Sequence, residues 1–136
     1  MALGKCRVLI VEDDPDARLA LQNMLQLLGH EVRCAETAGG AIRELRSQRA
    51  FDAVILDLVL PDENGMVVLS DVRERKLATR VAVVTALWTT EGDLKLPAEM
   101  RPDAFFRKPI DAYAIAGWVA ECVPRPNSRP QQNQAG

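Results

Sequence analysis

The sequence predicts an α/β domain: a doubly wound, five-stranded parallel sheet in the order 2-1-3-4-5, covered on both faces by helices as a three-layer sandwich. Three observations predict it. Short apolar runs rich in valine, isoleucine and leucine alternate with longer stretches whose apolar residues recur every three or four positions. Five such strand-then-helix units fit a chain of 136 residues. Acidic, hydroxyl or basic residues follow the first, third, fourth and fifth apolar runs, whereas the second is followed by Ala35-Glu36-Thr37 with no comparable group. Ligands of open parallel sheets bind beyond the carboxyl ends of the strands, where strand order reverses, so this asymmetry puts the second strand at an edge and the first and third at the switch point.

Each element has a local reason. Residues 6–11 (CRVLIV) form an apolar run stopped by acids, the mark of a buried strand. Asp14 then suits an N-cap and Pro15 the first helical position. Ala17, Leu21, Met24, Leu25 and Leu28 give that helix its apolar face, and Gly29 ends it. A second strand is expected around Glu31 to Ala35, and Thr37 caps a helix running to about Arg49. Residues 53–56 (AVIL) are the third strand, ending at Asp57, and Pro61 and Gly65 mark the following loop. A helix is expected over 66–76, a valine-rich strand over 80–84, a fifth strand over 103–107 and a last helix over 110–122, with Ile110, Ala114 and Trp118 on its apolar face. Residues 87–102 carry Thr89, Thr90, Gly92, Pro97 and Pro102, which suit a short or frayed helix at most. Crossovers are expected to be right-handed.

Composition bounds the function. Hydrophobic residues make up 48%, enough for a core, and charged residues 26% with both signs mixed. A net charge of -2 gives no footprint for direct nucleic-acid binding, and no basic cluster points to a membrane surface. The three cysteines, Cys6, Cys34 and Cys122, are odd in number and form no CxxC, which argues against a disulfide framework or zinc site. They read as small hydrophobes of a reduced protein. The single histidine, His30, reads as a loop residue. The N-terminus reaches acids too soon for a signal peptide, and no window approaches the roughly 20 apolar residues of a membrane span. A cytoplasmic chain is expected, with one domain over 1–123 and a flexible tail or linker stub over 124–136, where the composition turns to Pro, Gln and Asn.

The strand ends carry the chemistry. Glu12 and Asp13 follow the first strand, Asp57 the third, Thr85 the fourth and Lys108 the fifth. Carboxylates at neighbouring strand ends repel, by about 4 kcal/mol for a pair ~4 Å apart at an effective dielectric near 20. A positive partner must offset this. Oxygen donors favour a hard cation, magnesium or in its place manganese. Lys108 adds a flexible point charge suited to a phosphoryl oxygen, Thr85 offers a hydroxyl to one, and a carboxylate can itself attack phosphorus to give an acyl phosphate. The residues thus describe a metal-assisted phosphoryl acceptor.

The fragments VLIVEDDP, LDLVLPDENG, VVTA and FFRKP, in this order on the expected strand ends, resemble the receiver domains of two-component signalling, of the chemotaxis-response-regulator type, over nearly all of residues 5–123. The resemblance implies a flavodoxin-like (βα)5 fold and a response regulator that accepts phosphate from a sensor histidine kinase or phosphotransfer protein in a phosphorelay. It implies Asp57 as phosphoacceptor, and Glu12, Asp13, Asp57 and the backbone carbonyl of Val59 as the magnesium site. It makes Thr85 and Lys108 phosphate-sensing residues, places Phe105 at the switch aromatic, and leads one to expect a cis Lys108–Pro109 bond. A receiver homodimer is a further partner it admits. Val59 and Leu87 correspond to positions beside the attacking water and are apolar, so slow autodephosphorylation is expected. Arg101-Pro102-Asp103 stands where the family often has a glycine-containing turn, and Phe105 lacks the hydroxyl of a tyrosine.

Other readings compete. An aspartyl phosphatase wants a second acid two residues after its nucleophile, and that position is Val59. A receiver-like scaffold that is never phosphorylated usually lacks a site residue, and all are present. No GxxxxGK[ST] supports a P-loop nucleotidase. Taken singly, Asp62 and Glu63 read as solvated loop acids, Trp118 as packing, and Trp88 as either a core cap or an exposed partner contact.

Overall fold

The computed structural model describes residues 4–47, 49–86 and 97–124. In chain order these form β1 (Arg7–Val11), α1 (Pro15–Leu27), β2 (Glu31–Ala35), α2 (Ala38–Leu45), β3 (Ala53–Asp57), α3 (Met66–Glu74), β4 (Arg80–Thr85), a 3₁₀ turn (Ala98–Met100), β5 (Ala104–Arg107) and α4 (Ala112–Glu121). The strands form one parallel sheet in the order β2-β1-β3-β4-β5. Val11 pairs with Leu56 and Asp57 with Val84, so the first, third and fourth strands end at nearly one level.

Side-chain alternation along the strands divides the core in two. Leu9, Val11, Val54, Leu56, Val81 and Val83 face one way and pack with Ala41 and Leu45 of α2 and Val68, Leu69 and Val72 of α3. Val8, Ile10, Ala53, Ile55, Ala82 and Val84 face the other way and pack with Leu21 and Leu25 of α1 and Ile115, Trp118 and Val119 of α4. Both faces of the central strands are therefore dry, and whatever polar chemistry they carry is displaced to their ends.

The helix starts follow the sequence. The Asp14 side chain accepts from the Ala17 N–H with Pro15 in the first turn, Thr37 accepts from the Gly40 N–H, and Asp111 caps α4 through the N–H groups of Tyr113 and Ala114. The ends differ. α2 stops at Leu45, short of Arg49, because the apolar period gives out there. α3 stops at Glu74, and α4 begins at Ala112 because Asp111 takes the cap. Leu28 is the C-cap of α1 and stays exposed, outside the face that spacing assigned to it. Gly29 follows at φ 95°, the left-handed conformation expected of it. Of the region expected to hold a short helix, residues 87–96 (with Leu87 and Trp88) lie outside the described residues, as does the expected tail from 125 onward; residues 98–100 form only the 3₁₀ turn. Asp103 accepts from the Val81 N–H and from Arg73, whose guanidinium also bonds the Arg101 carbonyl. These bonds hold the Arg101-Pro102-Asp103 turn against α3 without a glycine.

Candidate functional site

The sheet's carboxyl edge collects the acids. Glu12 and Asp13 follow β1 directly, and Asp57 is the last residue of its neighbour β3. Ligand oxygens of these three carboxylates all lie within 4.8 Å of one another; Glu12 and Asp57 are buried and Asp13 is exposed. From the opposite side Lys108 brings its ammonium to 2.7 Å from Glu12 Oε1 and 3.0 Å from Asp57 Oδ2. Its reach is set by the loop after β5, where the Lys108 N–H bonds the Thr85 carbonyl at 2.9 Å and the Lys108–Pro109 peptide is cis.

Each buried carboxylate is aimed by two bonds. In Asp57, Oδ1 accepts the Val59 N–H at 3.0 Å while Oδ2 takes Lys108. In Glu12, Oε2 accepts the Asp14 N–H at 3.1 Å while Oε1 takes Lys108. Burial raises the Glu12 carboxyl above its ordinary value; Lys108 and the Asp14 N–H only partly offset this, and the Asp57 charge adds to it. Burial opposes the Lys108 charge, yet the bonds to Glu12 and Asp57 outweigh it and raise its pKa. One ammonium among three acids leaves the cluster short of positive charge. Three hard oxygen donors at this separation suit magnesium, which prefers a few carboxylates and keeps water on its remaining positions.

The structure brings together Glu12, Asp13, Asp57 and Lys108. Thr85 is fully buried at the end of β4, one strand from Asp57. Val59 stands in the loop after Asp57 and is 54% exposed. Phe105 is half-buried on β5 and packs on the core face shared with α2 and α3.

For three residues that support the site, the sequence reading did not reach the role the structure gives them. Asp62 is the exposed loop acid expected, and it also accepts the N–H groups of Ala38 and Gly39 at 2.9 and 3.0 Å. These bonds tie the loop after Asp57 to the start of α2 and lower the Asp62 pKa. Gly65 folds back onto the backbone of Asp57: a Cβ there would overlap the Asp57 carbonyl. The PxxxG spacing held that signal. Arg18 bonds the carbonyls of Glu12 and Asp13. Away from the site, beside the amino end of β1, His30 lies in the loop expected of it, is buried there and accepts the Cys6 N–H on Nδ1 at 3.0 Å.

Comparison with known proteins agrees with this geometry. A family profile for the response regulator receiver domain matches residues 8–119. The chain is 32% identical over 106 residues to the TorCAD operon transcriptional regulatory protein TorR of Escherichia coli strain K12, covering 76% of this chain and 44% of TorR. It is 29% identical over 121 residues to the response regulator protein PilR of Pseudomonas aeruginosa, covering 89% of this chain and 27% of PilR. It thus spans less than half the length of these relatives. Among solved structures, the response regulator protein TrrA of Thermotoga maritima, in complex with Mg2+-BeF, is 27% identical with a TM-score of 0.75, over 86% of this chain and 98% of that one. A receiver domain protein from Methanospirillum hungatei, 23% identical, shares the fold with a TM-score of 0.76 over 96% of this chain and 98% of its own. With the family profile matching most of its length and the acid cluster in place, the chain belongs to the receiver domains of two-component response regulators.

Proposed function

We propose that Asp57 is the phosphoacceptor of this domain and that Glu12, Asp13, Asp57 and the backbone carbonyl of Val59 hold a magnesium ion, or manganese in its place, during transfer. The observation that carries this is the setting of the Asp57 carboxylate. It is held between the Val59 N–H and the Lys108 ammonium, with two further acids within 4.8 Å. An Asp57 oxygen attacks phosphorus, the bond from phosphorus to the donor breaks, and the donor leaves with that electron pair. The product is an acyl phosphate on Asp57. The bound cation supplies charge neutralisation for the phosphoryl oxygens. Lys108 shifts from the carboxylate oxygens to a phosphoryl oxygen, and Thr85 donates its hydroxyl to another. Phe105, half-buried beside β4, repacks as Thr85 is drawn in, which biases a two-state surface. Hydrolysis later returns phosphate and the free carboxylate.

The donor is a sensor histidine kinase or phosphotransfer protein. A groove of about 310 Å³ adjoins Lys108 and is walled by Ala17, Ala20, Leu21 and Met24 of α1 with Pro109 and Ile110. An amphipathic helix seated there would bring a phosphohistidine to the acid cluster. Residues 1–123 act as the receiver unit, and a homodimer of receivers remains part of the proposal only as a partner for the switched surface. No described helix is long and apolar enough to cross a membrane. Three free cysteines suit the reducing cytoplasm we assign to the chain.

The test is incubation with acetyl phosphate and Mg2+, read by intact mass. Wild type gains one phosphoryl group, while Asp57→Asn and wild type in EDTA gain none. Equal behaviour of wild type and Asp57→Asn overturns the assignment.

A further inference from the structure

Arg18, in the first turns of α1, carries its charge where simple electrostatics disfavours it. A cation near a helix N-terminus opposes the helix dipole, and this one also sits beside a site built for a divalent cation. Its contacts explain its presence. One guanidinium nitrogen, Nη1, donates to the main-chain carbonyls of Glu12 at 3.0 Å and Asp13 at 3.3 Å. The other, Nη2, lies 3.6 Å from Glu36 Oε2, just past the end of β2. The side chain is only 19% exposed. On the other side of the same peptide pair, the Glu12 N–H bonds the Ala35 carbonyl at 3.0 Å. The Glu12 backbone is therefore held at both ends, by β2 through its N–H and by Arg18 through its carbonyl. The Asp13 backbone is held by Arg18 as well.

We infer that Arg18 is a positioning residue. It fixes the main chain of Glu12 and Asp13 so that both carboxylates meet one divalent cation, and Glu36 keeps its guanidinium in place. This rests on the reading of the cluster as a magnesium site. A lysine could not replace it: a point ammonium lacks the planar fork that reaches two carbonyls and a carboxylate together.

Charge and positioning have opposite signs here, which makes the test sharp. If Arg18 acted only through its charge, removing it would tighten Mg2+ binding. If it orients the loop, removing it weakens binding despite the lost repulsion. Mg2+ affinity of the full chain is measured by isothermal titration calorimetry for wild type, Arg18→Gln, Arg18→Lys and Arg33→Gln, with urea unfolding in EDTA as the check on folding. Arg33 pairs with Glu44 on the exposed face of β2 and serves as the charge control. Arg18→Gln is expected to bind Mg2+ about tenfold more weakly, the usual cost of losing a residue that orients metal ligands. Arg33→Gln matches wild type. Arg18→Lys keeps the charge and still binds more weakly than wild type; it decides the matter if Arg18→Gln does not fold. Equal or tighter binding by Arg18→Gln, or wild-type binding by Arg18→Lys, overturns the inference. Failure of wild type itself to bind Mg2+ would instead remove the metal site on which it rests.

Discussion

Neutralising one acid of the cluster should stabilise the metal-free domain, and Asp13→Asn is the cleanest such change. Asp13 contributes to the crowding but not to the Lys108 ion pairs, which are made by Glu12 and Asp57. At the outer separation of 4.8 Å, a carboxylate pair repels by roughly 0.9 kcal/mol at the dielectric of water and roughly 3.5 kcal/mol at an effective dielectric of 20. Asp13 is exposed, so solvent screening puts the true figure near the lower value. With two neighbouring carboxylates, Asp13→Asn is expected to gain about 1 to 2 kcal/mol in EDTA at low salt. The gain should shrink as salt is added. Magnesium closes most of the gap: at ten times its dissociation constant it stabilises wild type by about 1.4 kcal/mol, and the variant by much less. The assay is urea unfolding with and without Mg2+. An Asp13→Asn domain no more stable than wild type in EDTA refutes the claim that these carboxylates strain one another.

Three further outcomes follow from the geometry. His30 is buried and accepts the Cys6 N–H, and burial holds its pKa below the ordinary 6.5. The unfolded chain therefore takes up this proton first. Its stability is intact above about pH 6.5 and falls as the pH drops toward the folded value, and His30→Gln should flatten that slope in urea titrations between roughly pH 7.5 and 5.5. Gly65→Ala, whose Cβ would overlap the Asp57 carbonyl, should cost about 2 kcal/mol or more and slow phosphate uptake; wild-type stability would show that the loop yields freely. Val59 has an exposed apolar side chain unable to orient a water, so the acyl phosphate should persist well beyond seconds, and Val59→Asn should shorten that lifetime; a wild-type decay within seconds argues otherwise.

The strands and their ends were legible because a parallel sheet buried on both faces demands uninterrupted apolar runs, and a polar residue can interrupt only where the strand leaves the core. That is why Glu12, Asp13, Asp57, Thr85 and Lys108 could be picked out, and why the empty end of β2 fits its place at the edge of the 2-1-3-4-5 order. What was not legible depended on tertiary surroundings, in a different way at each place. Asp62 meets the N-terminus of α2 across 24 positions of sequence, and local composition showed only a loop acid. Arg18 works by reaching back to main-chain atoms, which no side-chain pattern encodes. Leu28 obeys the helical period yet falls on the cap, where the chain has already turned away from the core. In α2, charged residues of good helix propensity follow Leu45 and masked the end that lost packing imposes.

We propose that acids gathered at one sheet edge, with Lys108 opposite, make Asp57 the place where phosphorus lands. Borohydride reduction after phosphorylation, followed by peptide sequencing, tests it directly, because the hydride converts an aspartyl phosphate to homoserine. Homoserine is expected at position 57 and nowhere else in the cluster. Reduction at Glu12 or Asp13, or a phosphorylated chain with Asp57 intact, would contradict it.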